Sequence, residues 1–154
     1  MTDLTRTSDS WLTSVPHQQW LQDQGQALVD FAKAARVPDG FAQLDCFGCR
    51  ADDAPANTVT TARMVHSFAL AQIQGLPGCT PLIDHGLAAL AGPLRDAKHG
   101  GWFASAHGQD GNTRKEAYLH AFVALAASSA VVAGRGGADQ LLRDAVQILD
   151  EHFW

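Results

Sequence analysis

Apolar residues recur along this chain at helical spacing, and they do so in two different patterns. In the first pattern they form a single stripe, as in the segment from Ala138 onward, where charged residues occupy the opposite face. In the second pattern they occur on almost every side, as in residues 121–127. A helix of the first kind has one solvated face, whereas a helix of the second kind must be enclosed by protein.

These patterns predict five helices joined by turns and by two long loops. The helices cover about residues 14–36, 59–74, 80–92, 114–133 and 138 to the end. The loops contain a predicted short strand over residues 41–44, a hairpin around residues 101–105 and a turn at Asp110-Gly111. The apolar stripe of the first helix consists of Trp20, Leu21, Leu28, Phe31, Ala32 and Ala35. Odd-numbered helices are therefore expected on the outside and even-numbered helices on the inside.

Two of the predicted helices carry the same sequence pattern. Residues 66–71 read HSFALA and residues 120–125 read HAFVAL, with the two histidines 54 positions apart. Each copy follows an Asn-Thr pair (Asn57-Thr58 and Asn112-Thr113) and, further upstream, a Gly-aromatic segment. A period of this size is typical of stacked helix pairs.

Alternating inner and outer helices predict an all-α fold, part of an (α/α)6 toroid that contains roughly the first two and a half helix-pair repeats. Six units of this size would need on the order of 350 residues. We therefore expect residues 1–13 to be an N-terminal arm and residues 14–154 to be the N-terminal part of a single catalytic domain. The alternative is a complete five-helix bundle.

Composition and charge argue against two classes of binding partner, nucleic acid and membrane. The net charge is −5 and no basic run occurs, which argues against nucleic acid. No apolar stretch approaches the ~20 residues of a membrane span, so no membrane partner is expected. The first ten residues are polar and do not resemble a secretory signal, and three cysteines fit reduced thiols, so we expect a cytoplasmic protein.

Four motifs in order resemble the N-acylglucosamine 2-epimerase superfamily. They are TARMVHSFALA at residues 61–71, LIDHGL at 82–87, HGGWF at 99–103 and KEAYLHAF at 115–122. The resemblance covers about residues 15–154, and within the superfamily it is most similar to the D-mannose isomerases. It implies an (α/α)6 barrel that interconverts D-mannose and D-fructose through a cis-enediol, by proton transfer and without a cofactor or metal. Two alternatives stay open: a sugar 2-epimerase of the same superfamily, and a non-catalytic helical-repeat scaffold that binds a protein.

The resemblance also implies where the sugar binds. It places Arg63 and Tyr118 in the sugar pocket, with Arg63 as a catalytic group that stabilises an enediolate oxygen. Trp102 and His120 are further predicted contacts of the monosaccharide. Each has a structural alternative: a buried ion pair for Arg63, and core packing for the other three. The histidines that act as acid and base are expected beyond Trp154, so we expect this chain alone to be inactive. A homodimer is left open.

One further motif, Cys46-Phe47-Gly48-Cys49, is a CxxC. A zinc site would need two more ligands at defined spacing, and a redox motif would need a βαβ context; neither is present. We interpret the pair as loop cysteines.

Overall fold

The computed structural model describes residues 11–108 and 114–153. Within these ranges the chain forms five α-helices and one small two-stranded sheet, which confirms the predicted all-α character. The helices are α1 (Val15–Ala32), α2 (Thr58–Ile73), α3 (Thr80–Ala91), α4 (Ala117–Val132) and α5 (Ala138–Phe153). Strand β1 (Arg36–Val37) pairs antiparallel with β2 (Gly40–Phe41).

Local chemistry sets where the helices begin and end. The side chain of Asn57 caps α2 by accepting a hydrogen bond from the backbone N–H of Thr60 at 3.0 Å. Proline lies in the first turn of α1 and of α3, where its missing N–H has no partner to lose. After α2 the chain turns at Gly75, whose φ of +88° is in the left-handed region that glycine tolerates.

Helices α2 and α4 pack against each other, while α3 covers α2 and α5 covers α4. The core between them is apolar and includes Val65, Phe68, Ile83 and Val123, all fully buried. Gly86 permits the close approach of α3 to α2, because a Cβ atom there would overlap the side chain of Val65. Helices α2 and α4 therefore lie next to each other, with α3 and α5 on their other sides, and the inner and outer places of these helices in a barrel stay a prediction.

Helix α1 differs from the prediction. None of its residues is buried, and two residues of the apolar stripe predicted for it, Trp20 and Leu28, are 54% and 69% exposed. The α-helix also ends at Ala32, and a 3-10 turn (Lys33–Ala35) follows. The helix cannot reach Arg36, because pairing of β1 with β2 requires extended backbone from that residue onward.

Three local predictions need correction. The strand expected at residues 41–44 is only Gly40–Phe41, and the fourth helix starts at Ala117 rather than at Arg114. The hairpin expected around residues 101–105 is reduced to one antiparallel bridge, Arg95 with Trp102, and Ser105 makes a second isolated bridge with Asn57. The predicted turn at Asp110-Gly111 lies outside the described residues, as does most of the predicted arm.

The described helices are all too short or too polar to cross a membrane. Helices α2 and α4, predicted to be enclosed on all sides, each keep one exposed face, on which Leu70 is 44% and Val132 is 71% exposed. The other faces of these two helices are buried by α3, α5 and each other. The exposed faces are where the candidate site lies.

Candidate functional site

The exposed faces of α2 and α4 form one surface. At helical spacing, α2 contributes Arg63, Ser67 and Leu70, and α4 contributes Tyr118, Leu125 and Val132; we call this set the α2/α4 surface. All six residues are exposed. Because the two helices pack side by side, residues from different repeats lie next to each other at the end of this surface where α2 and α4 begin.

Arg63 and Tyr118 meet at that end. The Nη2 atom of Arg63 donates a hydrogen bond to the hydroxyl oxygen of Tyr118 at 3.2 Å, although the two residues are 55 positions apart in the sequence. The two side chains expected in one sugar pocket are therefore in contact, and their role in binding a sugar stays a prediction. Since the Tyr118 oxygen is the acceptor, its own proton is left to donate to a ligand.

Phe122 contacts both of them. The guanidinium carbon of Arg63 lies 4.7 Å from the centroid of the Phe122 ring, a cation–π arrangement. The rings of Tyr118 and Phe122 meet edge to face with centroids 4.9 Å apart. Phe122 is half-buried, so it supplies a fixed platform for two exposed side chains.

The sequence motifs do not single out Phe122 as a site residue. The signal that could have found it is its position four residues after Tyr118, which places both rings on one helix face. What the sequence could not supply is the third partner, because Arg63 comes from a different helix.

The positive charge of Arg63 is available to a ligand. No carboxylate among the described residues forms an ion pair with it. Within the described part of the chain, Arg63 is thus not the buried ion pair that was its structural alternative. An exposed guanidinium with several N–H donors suits a polyhydroxylated or anionic group.

Trp102 and His120 lie elsewhere. The Trp102 side chain is fully buried, and its indole N–H donates to the carbonyl of Leu90 at 2.7 Å. His120 is also fully buried: Nδ1 donates to the Glu116 carbonyl at 2.7 Å, and Nε2 accepts the backbone N–H of Trp102 at 3.3 Å. The structure does not bring these two residues to the α2/α4 surface; both hold the loop before α4 in place.

Burial has an electrostatic consequence for His120. It lowers the pKa of the imidazole below the usual value of 6.5, because the charged form would lose its hydration. Gly101 packs directly on this ring: a Cβ there would lie 2.5 Å from Nε2, and the φ of Gly101 is +70°. Both facts indicate a neutral histidine enclosed by its own loop.

A carboxylate organises the same loop. Asp96 is buried, and its carboxylate accepts hydrogen bonds from the backbone N–H groups of Lys98 and His99, both at 3.0 Å. It also forms an ion pair with Lys115 at 2.8 Å. The bond from Lys115, the largest influence, helps to lower the pKa of Asp96 to about 2. Lys115 lies three residues before Tyr118, so the cluster fixes the start of α4.

His66, the repeat equivalent of His120, bonds across the two helices. Its Nδ1 lies 2.6 Å from the hydroxyl oxygen of Ser129, and that hydroxyl donates to the Leu125 carbonyl at 3.0 Å. The histidine must therefore be the donor to Ser129. Among the residues that the structure describes, no three His, Cys, Asp or Glu side chains are placed to hold a metal ion.

Two relatives share this sequence over most or all of its length. A D-mannose isomerase of Pseudomonas cannabina pv. alisalensis is 56% identical over 154 residues, which are 100% of this chain and 37% of the relative. A D-mannose isomerase of Thermobifida fusca is 48% identical over 147 residues, 94% of this chain and 36% of the relative. The chain thus spans little more than a third of the length of the curated relatives it matches.

A family model matches residues 40–154, a range that includes both Arg63 and Tyr118. The model describes N-acylglucosamine 2-epimerase (GlcNAc 2-epimerase). The resemblance predicted from the four motifs is thereby confirmed. Because the match covers most of its length, this chain belongs to the N-acylglucosamine 2-epimerase family.

Proposed function

We propose that this chain forms part of an aldose–ketose isomerase that interconverts D-mannose and D-fructose. The observation that carries the proposal is the Arg63–Tyr118 hydrogen bond on an exposed surface of α2 and α4. The names of the two relatives support the choice of substrate, since both are D-mannose isomerases. Arg63 and Tyr118 would bind the oxygens of the sugar.

The chemistry requires a proton to leave C2 of the aldose and another to arrive at C1. The intermediate is a cis-enediol, and negative charge develops on the C1 oxygen as the C2 proton leaves. The guanidinium of Arg63 is suited to stabilise that charge, and the Tyr118 hydroxyl to donate to a neighbouring oxygen. These roles need no redox cofactor, because no net electron transfer occurs.

The acid and base are proposed to come from outside this chain. His120 has both ring nitrogens bonded to backbone groups, and His66 and His85 are each held by a hydrogen bond to another element. The α2/α4 surface contains Arg63 and Tyr118 but no histidine. A separate proton-transfer pair therefore fits this arrangement better than any histidine described here.

The architecture proposed for the whole enzyme is an (α/α)6 barrel. In it α2 and α4 would be neighbouring inner helices, and α3 and α5 would be their outer partners. The exposed apolar residues of the α2/α4 surface, such as Leu125 and Val132, support this, because inner helices of a toroid meet further protein on that side.

The test uses a hybrid in which this chain is followed by the remaining length of the Thermobifida fusca relative. Incubation with D-mannose should give D-fructose, detected by sugar chromatography, and the 154-residue chain alone should give none. Formation of the C2 epimer, D-glucose, would instead indicate the 2-epimerase. A folded hybrid that neither binds nor converts any monosaccharide would leave the scaffold as the better interpretation.

A further inference from the structure

The CxxC segment is folded into a closed turn. The carboxylate of Asp45 accepts the backbone N–H of Phe47 at 2.9 Å and that of Cys49 at 2.8 Å. The backbone closes the same turn from the other side, because the Asp45 N–H donates to the Cys49 carbonyl at 2.9 Å and the Gly48 N–H donates to the Asp45 carbonyl at 3.1 Å. Cys46 and Cys49 are thus held at the two ends of one tight turn.

Contacts from outside fix the turn against the end of α1. Gly48 has a φ of +78° and lies so close to Phe31 that a Cβ would be 3.0 Å from its ring. Arg50, directly after the turn, donates to the carbonyls of Ala34 at 3.0 Å and Arg36 at 3.1 Å. The turn is therefore a built part of the fold, anchored on both sides.

The chain's three cysteines differ in access. Cys46 and Cys49 are exposed, whereas Cys79 is 1% exposed within the core between α2 and α3. Burial also raises the pKa of the Cys79 thiol, which disfavours the reactive thiolate. Cys79 is thus an internal reference for an unreactive thiol.

We propose that Cys46 and Cys49 form a dithiol site that is oxidised to an intramolecular disulfide by a low-molecular-weight disulfide such as oxidised glutathione. In the first step one cysteine thiolate attacks the oxidant, forms a mixed disulfide and releases one glutathione thiolate. In the second step the other cysteine attacks the mixed disulfide at its protein sulfur and releases the second glutathione. The two cysteines are oxidised, and one oxidised glutathione is reduced to two thiols.

The anchored turn favours the second step. Two hydrogen bonds between residues 45 and 49 already hold the backbone that carries both cysteines in one turn, so little chain ordering is left for ring closure, which raises the effective concentration of the second thiol. An exposed pair on a mobile loop would retain the adduct for longer.

The experiment is mass spectrometry of the 154-residue chain after incubation with oxidised glutathione. We expect the wild-type chain and Cys79→Ser to lose two hydrogen atoms without retaining glutathione. Cys46→Ser and Cys49→Ser should each retain one glutathione. Peptide mapping should place the new bond between Cys46 and Cys49.

A further variant tests the role of the turn. Asp45→Ala removes the acceptor of two N–H groups and should slow ring closure roughly tenfold, so that the mixed disulfide accumulates. Wild-type chain that retains two glutathiones, stays fully reduced, or crosslinks to a second chain would overturn the proposal. Closure at the wild-type rate in Asp45→Ala would show that the turn does not assist it.

Discussion

The two helices that share the sequence repeat use their equivalent histidines differently. His66 on α2 bonds across to Ser129 on α4, and is only partly buried. His120 on α4 bonds to backbone groups of its own helix and of the preceding loop, and is fully buried. One joins two repeats, whereas the other fixes a loop. The repeat therefore preserves the helical frame but not the task of each side chain.

The same comparison explains why the candidate site is asymmetric. When His66 is aligned with His120, Ala117 occupies the place of Arg63, and Met64 occupies the place of Tyr118. Each repeat thus contributes one polar group that the other lacks. The site exists only because α2 and α4 lie side by side, which brings a cation from one repeat to a hydroxyl from the other.

The largest expected effect is on kcat/KM, and it separates the contribution of Arg63 on α2 from that of Tyr118 on α4. In the hybrid enzyme, Arg63→Met should lower kcat/KM roughly 10²-fold or more, the scale of losing one electrostatic stabiliser of a transition state. Tyr118→Phe should cost less, since one neutral hydrogen bond is worth about 0.5–1.5 kcal/mol. Steady-state kinetics on both variants and the double variant provide the measurement.

Thermal unfolding is the control for this pair. If Arg63→Met leaves kcat/KM per folded molecule unchanged but lowers Tm strongly, Arg63 is a structural residue and the site assignment fails. Energetic coupling in the double variant is expected because the two side chains touch.

The next effect concerns the two histidines. His120→Phe keeps a ring of similar size but orphans the buried N–H of Trp102, so we expect a loss of about 2–3 kcal/mol in the free energy of unfolding. His66→Phe removes one hydrogen bond from a partly buried site and should cost only about 1 kcal/mol. Urea denaturation of the chain measures both. Equal losses would mean that the two repeats use their histidines alike.

These contrasts show what the sequence could and could not predict. The helical frame followed from apolar spacing, caps and turn residues such as Asn57 and Gly75, because these act locally. The meeting of Arg63 and Tyr118 also followed, since their motifs come at the same end of neighbouring helices. For Trp102 and His120 the sequence left sugar binding and core packing both open, because the choice depends on a loop whose course is set by Asp96 and Lys115.

The exposure of α1 likewise could not be predicted from the sequence. Its stripe of Trp20, Leu21, Leu28 and Phe31 has the spacing of a packed helix, but the described residues pack little against it. Spacing predicts which side of a helix is apolar, and does not predict whether a partner covers that side.

A smaller effect tests Phe122 as the platform between the two helices. Phe122→Leu removes a cation–π contact worth about 0.5–1 kcal/mol and an aromatic pair worth about 0.5–1.5 kcal/mol. In the hybrid enzyme we expect kcat/KM to fall roughly tenfold, with most of the loss in kcat, because Arg63 and Tyr118 lose their fixed position.

Leu125→Ala is the matched control for Phe122→Leu. Leu125 lies on the same surface of α4 but contributes no ring to Arg63 or Tyr118. It should change kcat/KM less than Phe122→Leu does. Equal losses in both variants would indicate that Phe122 acts only through general packing.

The smallest effect is a pH dependence that belongs to one histidine. The folded-state pKa of His120 is lowered by burial, so the unfolded chain binds a proton at this site more readily than the folded chain does. The stabilising contribution is therefore complete above the unfolded value of about 6.5 and is lost as the pH falls below it. The free energy of unfolding, measured by urea denaturation between about pH 7.5 and pH 5, should decrease in the wild-type chain. The slope should be shallower in His120→Phe, which has no group to protonate there. An unchanged slope in His120→Phe would mean that the neutral, enclosed state of this imidazole does not control the acid sensitivity of the fold.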